Sequence, residues 1–178
     1  MTLDGLQTAI VAGLDAMLDG AAAAVQGHRG QFESLDEIKR LAVKNPAVLV
    51  ALRGFRNPMQ LDLNELHATV QCVVYVLTAD RPQLPRGTSA QVLVSIIAAA
   101  LDDQRWGIDA GAPEDIVGRN ITTNDIDKAG VCLWSIAWLQ TAPIAEPLAV
   151  SYGLLNEIFG THELGTEDQA TDQIPIDQ

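Results

Sequence analysis

Basic residues are scarce in this 178-residue chain: 11 Lys and Arg stand against 23 Asp and Glu, a formal charge of −12. A nucleic-acid-binding module shows the reverse, a basic face that neutralises phosphates, so no specific DNA or RNA binding is expected. Cysteine is scarcer still. Cys72 and Cys132 are the only two, both inside apolar runs where a free thiol behaves as a small hydrophobe. No CxxC or HxxxH spacing offers a zinc site. No apolar run reaches the roughly 18 residues of a membrane-spanning helix. No Lys or Arg precedes Arg29, so the basic start of a secretory signal is missing and a reducing cytoplasm is expected. GxGxxG, GxxxxGK[ST] and GxSxG are all absent, which leaves nucleotide phosphates without a cradle and a serine nucleophile without its elbow.

What is present is apolar: 48% of the residues, against 19% charged. That composition excludes a disordered body, and the length suits one domain. The charge is uneven. Lys128 is the last basic residue, and the seven acids after it give residues 129–178 a charge of −7. Residues 1–128 carry the remaining −5 and include a basic stretch of Lys39, Arg40, Lys44, Arg53 and Arg56. Complementary edges of this kind suit a head-to-tail or ring contact between copies, and from charge alone an ordinary solvated surface with an acidic tail reads equally well.

Thr2 is placed to cap a helix in which Leu3, Leu6, Ile10, Leu14, Met17 and Leu18 form one apolar stripe. Ser34 and Glu37 have capping-box spacing ahead of Ile38 and Leu41, and Asn45-Pro46 stops that second helix. The run Ala47–Leu52, closed by Arg53-Gly54, reads as a buried strand. Residues 63–79 read as a longer one, with Leu66, Ala68, Val70, Cys72, Val74 and Val76 facing one way and His67, Thr69 and Gln71 the other. Thr88 or Ser89 is expected to cap a helix closed by Gly107, and 107–119 reads as irregular. A polar strand at 120–125 and a turn near 127–130 then lead into a strand at 131–139, with Pro143 and Pro147 ending the regular core. A short helix over 148–159 and an acidic tail over 160–178 complete the order. These elements predict an α+β domain, an antiparallel or mixed four-stranded sheet covered by amphipathic helices.

Candidate sites are few. His28 beside Gly27 and Arg29 reads as a solvated loop histidine, His67 as a cross-strand hydrogen-bonding residue, and His162 lies in the tail. Asp102-Asp103 at a helix end point ~100° apart and do not converge on a metal. Asn124–Gly130 is faintly like a calcium loop, but Lys128 and Ala129 stand where ligands belong. Trp134 and Trp138 read as core. No catalytic, cofactor-binding or metal-ligating residue is therefore expected, and an enzyme is not the favoured class. The apolar segment 142–159 ahead of the acidic tail reads in two ways, as part of the domain's own core or as a segment that docks on a neighbouring subunit.

Three features taken together resemble a known family: the run Asn45-Pro46-Ala47-Val48-Leu49-Val50-Ala51, the strand Leu66–Val76 followed by Gly87 opening a helix, and a last strand around Trp134–Leu139. They resemble the Mu-like phage tail-completion proteins, related in fold to the tail terminators of long-tailed bacteriophages. The resemblance covers residues 1–143 and leaves 144–178 as an extension with an acidic tail, expected to make an inter-subunit contact. It implies a structural virion protein assembled in the bacterial host cytoplasm as a homo-oligomeric, usually hexameric, ring at the head-proximal end of the tail. Such a ring caps the tail tube, ends its polymerisation and meets the head-completion proteins, and DNA passes through it without specific binding. The alternative from the same comparison is a head–tail connector or stopper on the portal side. The resemblance implies no cofactor and no membrane.

Overall fold

The computed structural model describes residues 2–62 and 65–145. In chain order the elements are α1 (Leu3–Leu18), β1 (Ala24–Gly27), α2 (Leu35–Ala42), β2 (Ala47–Asp62), β3 (Glu65–Ala79), α3 (Arg86–Ala100), β4 (Glu114–Asn120), α4 (Asn124–Lys128) and β5 (Val131–Ala145). The strands form one five-stranded sheet in the order β1-β2-β3-β5-β4. β1 runs parallel to β2, with α2 as the crossover, and the other pairings are antiparallel. The protein is thus α+β with a mixed sheet and four helices.

Period-2 alternation along β2, β3 and β5 sends apolar residues to both sides of the sheet. On one side Val48, Val50, Val70, Cys72, Val74, Val76, Ile136 and Trp138 meet Leu6, Ile10, Leu14 and Leu18 of α1 and Leu93 and Ile97 of α3. On the other, Leu49, Ala51, Val73, Tyr75, Leu77 and Leu133 meet Ile38 and Ala42 of α2 and Ile126 of α4. Fully burying one such large side chain stabilises by about 1.5–3 kcal/mol. The helices start where side chains can take their orphan N–H groups. Thr2 Oγ1 accepts from Gly5 N at 3.3 Å and Ser34 Oγ from Glu37 N at 3.2 Å. At the other end of the sheet, Asn45 closes a two-way clasp: its Nδ2 donates to Ala79 O at 2.8 Å and its Oδ1 accepts from Ala79 N at 3.0 Å.

Several sequence expectations need correction. The sheet has five strands rather than four, because the short edge strand β1 joins it. β2 does not end at Arg53-Gly54: Arg53 is the extra residue of a bulge between the pairs Leu52–Cys72 and Gly54–Gln71, and the strand runs on to Asp62. The third helix begins at Arg86, before Thr88. Its first N–H is taken by Asp80 Oδ1 at 3.0 Å, an acid that reaches in from the preceding loop. It ends at Ala100, well before Gly107. Residues 114–119, expected to be irregular, form β4 together with Asn120, and the rest of the expected strand at 120–125 is a loop followed by α4, capped by Thr123. β5 continues through Pro143 to Ala145. By their contacts, residues Met1–Pro147 form one unit. The expectations for 148–159, for the tail and for His162 lie outside the described residues.

Candidate functional site

α1 and α3 cover one face of the sheet, but α2 and α4 cover only one end of the other. The uncovered half is a groove of about 760 Å³. Its floor is Gln71 and Val73 of β3 with Ala137 and Leu139 of β5. Arg53 and Arg56 rise on the β2 side and Arg119 on the β4 side, with Asp115 the one acid among the lining residues. The bulge at Leu52/Gly54 brings this about, because the extra residue resets the alternation and places Arg56 opposite Thr69 on the groove face. Arg53 is anchored: its Nη1 donates to Gly30 O and lies 3.3 Å from the Tyr75 hydroxyl. Arg56 and Arg119 form no ion pair among the described residues, so a molecule of net charge −12 carries here a local patch of the opposite sign.

The groove lies between two open edges. β1 pairs with β2 only over Ala47–Val50, which leaves the rest of β2 without an outer neighbour among the described residues. That free length is the β2–β3 arm, where Phe55 and Met59 are 51% and 54% exposed. At the opposite side of the sheet, β4 is exposed along its whole length and presents Ile116 and Val117. Unpaired edges with apolar side chains are templates for strand or subunit addition.

Beside the groove is an aromatic knot of buried Tyr75 with half-buried His28 and Phe32. His28 is not the solvated loop residue expected: its ring stacks on Phe32 at 4.8 Å and meets the edge of Tyr75 at 6.2 Å. Nδ1 accepts from Gly30 N at 3.1 Å. Nε2 is buried without a hydrogen-bond partner, 3.7 Å from Glu37 Oε1. Burial holds this imidazole below its ordinary pKa, with the Arg29 charge adding to that and Glu37 opposing it. The backbone N–H of Glu33, at 2.6 Å, keeps the Glu37 carboxyl low, and Arg29 pairs with both glutamates. Gly30 has φ +90, and a Cβ there would lie 3.1 Å from the Arg53 side chain, so the turn needs glycine.

The remaining sequence candidates fall into place. Cys72 and Cys132 are free and buried, and desolvation pushes the Cys72 thiol up to about 12. Trp138 is core and Trp134 packs against it. Asp127 is taken by Arg86, whose guanidinium bridges it at 2.7 Å to Asp80 at 2.6 Å, so 124–130 is a helix and turn rather than a calcium loop. Asp103 pairs with Arg105 at 3.3 Å. His67 is 4% exposed, and its ring faces Glu65 of its own strand at 3.3 Å, not a partner across the sheet. Sequence reasoning missed the groove, because its arginines come from distant strands and only the sheet register unites them. It also missed the approach of Asp109 to His67. No nucleophile–base–acid arrangement occurs among the hydrogen bonds of the described residues. No helix among them is long and apolar enough to cross a membrane. Comparison by sequence finds no protein-family model and no curated protein that matches this chain.

Proposed function

We propose that this chain is a ring-forming structural subunit of a bacteriophage tail, a tail-terminator-like protein that caps the tail tube and provides the surface joined by the head-completion proteins. The observation that carries the reading is the pair of open edges on opposite sides of one sheet, the exposed β2–β3 arm and β4. Different edges meeting head to tail form a heterologous contact, which generates a ring when the rotation closes. The basic groove between them gives copies of an acidic protein a patch of opposite sign, which offsets their mutual repulsion. The element order and strand pattern that resemble the tail-completion family supply the identity of the ring's partners.

In this reading the subunit is not an enzyme and needs no cofactor, and DNA passes the ring without being gripped. The ring is a hexamer at the head-proximal end of the tail, assembled in the host cytoplasm. The segment 144–178 contributes an inter-subunit contact. Imaging the purified protein with isolated tail tubes tests the reading: rings capping tube ends support it, binding to portal rings supports the connector alternative, and a monomer that ignores both removes it. A chain ending at Pro147 tests the last clause. It should fold yet assemble poorly, and assembly equal to the full chain would discard the contact role.

A further inference from the structure

Apart from the groove, a second cluster stands at the far end of the sheet. Glu65 and His67 are two residues apart on β3, and Asp109 comes from the loop between α3 and β4. One ligand atom from each lies within 4.8 Å of the other two. His67 is buried while both carboxylates are exposed, so an imidazole forms the floor and two acids form an open mouth. No Lys or Arg pairs with Glu65 or Asp109 among the described residues, although two carboxylates repel each other at this range.

We infer that Glu65, His67 and Asp109 form a divalent-cation site, taking a first-row ion such as Zn²⁺ or Mn²⁺. The donor set is one imidazole nitrogen and two carboxylate oxygens, a mixture that suits these ions and leaves coordination positions for water. His67 Nε2 and Glu65 Oε2 are 3.3 Å apart. That matches the edge of a tetrahedron around an ion held at about 2.0–2.1 Å. Asp109 offers the third oxygen, within 4.8 Å of the other two ligand atoms, from an exposed side chain.

The third ligand is held by a rigid strap. Gln140, 1% exposed on β5, donates from Nε2 to Gln104 O at 2.9 Å and to Gly111 O at 2.8 Å, gripping the loop on either side of Asp109. Gly111 N donates to Thr141 O at 2.8 Å, and the Trp106 indole is bound to Gln140 Oε1. The loop and β3 flank β5 on opposite sides, with Pro143 standing opposite His67 in the register. An ion here cross-links the turn end of the β2–β3 arm, where Glu65 pairs with Asp62 and His67 with Met59, to the strap across the end of β5.

The test uses the full chain, stripped with chelator and exchanged into metal-free buffer, titrated calorimetrically with Zn²⁺ and separately with Mn²⁺ near neutral pH. Saturable binding of one ion per chain is expected, weakened at least about tenfold in each of Asp109→Asn, Glu65→Gln and His67→Gln, since loss of even an outer-shell group costs 10–100-fold. The two carboxylate variants alter exposed residues and should melt as the metal-free parent does, which separates lost binding from lost folding. Absence of saturable binding overturns the site. So does stoichiometric binding that survives unchanged in all three variants, which would place the ion elsewhere in the chain.

Discussion

The indole N–H of Trp106 donates to the side-chain oxygen of Gln140 across 2.8 Å in the buried interior. The same oxygen accepts from Trp138 Nε1 at 3.0 Å, and both amide hydrogens of Gln140 go to backbone carbonyls of the α3–β4 loop. A buried glutamine with its donors and acceptors all used is a structural keystone. Gln140→Leu strands two indole N–H groups and two carbonyls. Each orphan costs about 1–3 kcal/mol, less where the loop relaxes toward water, so a loss of about 2–4 kcal/mol is expected. Denaturant unfolding measures it. A loss below ~1 kcal/mol would show the network to be dispensable.

Gly13 of α1 lies against the same tryptophan. A Cβ at Gly13 would sit 2.6 Å from Trp106 Cε3, and the ring cannot swing away because Gln140 holds its nitrogen. Replacing a helical glycine normally stabilises by up to about 1 kcal/mol, whereas overpacking a core costs typically about 1–3 kcal/mol. Steric cost should win. Gly13→Ala is expected to lower the melting temperature slightly and Gly13→Val markedly. A rise with either would show that the α1–Trp106 contact is loose.

His28 gives the protein a pH-dependent stability. Its folded pKa is held below the ordinary 6.5 by burial. As pH falls below about 6.5 the unfolded chain therefore gains a proton that the folded one refuses, and stability declines. The decline levels off once pH passes the folded value. One such proton gives a slope of at most ~1.4 kcal/mol per pH unit. His28→Gln keeps an acceptor for Gly30 N and removes the titration. Denaturation midpoints between pH 7.5 and 5 should fall less steeply in the variant, and parallel curves would refute the assignment.

Phe55 and Met59 are exposed on the arm and contribute little to the folded monomer. Phe55→Glu and Met59→Glu should therefore change unfolding stability by no more than about 0.5 kcal/mol. In the assembly reading the same substitutions add charge where an apolar contact forms. Sedimentation velocity should show the double variant shifted toward monomer at concentrations where the parent is oligomeric. Unchanged sedimentation would remove the arm from the interface.

Much of the fold was legible, and for a physical reason. α1 declared itself through Leu6, Ile10, Leu14 and Leu18, because a stripe at helical spacing has few other uses. β3 and β5 did so through long apolar alternation. β1 and β4 did not. Ala24–Gly27 is short, and Glu114–Asn120 is exposed throughout; each is ordered by its neighbour strand rather than by its own pattern. Arg53-Gly54 looked like a strand end because a bulge and a stop use the same residues. The sites were least legible. Arg56 and Arg119 share a groove, and Asp109 meets His67, only because tertiary register unites segments far apart in the chain. His28 reads as a loop residue until Phe32 and Tyr75 close over it.

The most direct test of the central claim is negative-stain imaging of the purified protein mixed with isolated phage tail tubes. Closed rings seated on one end of each tube, with tube length no longer increasing, are the predicted result. A protein that remains monomeric at high concentration and leaves tube ends bare and growing would contradict the account.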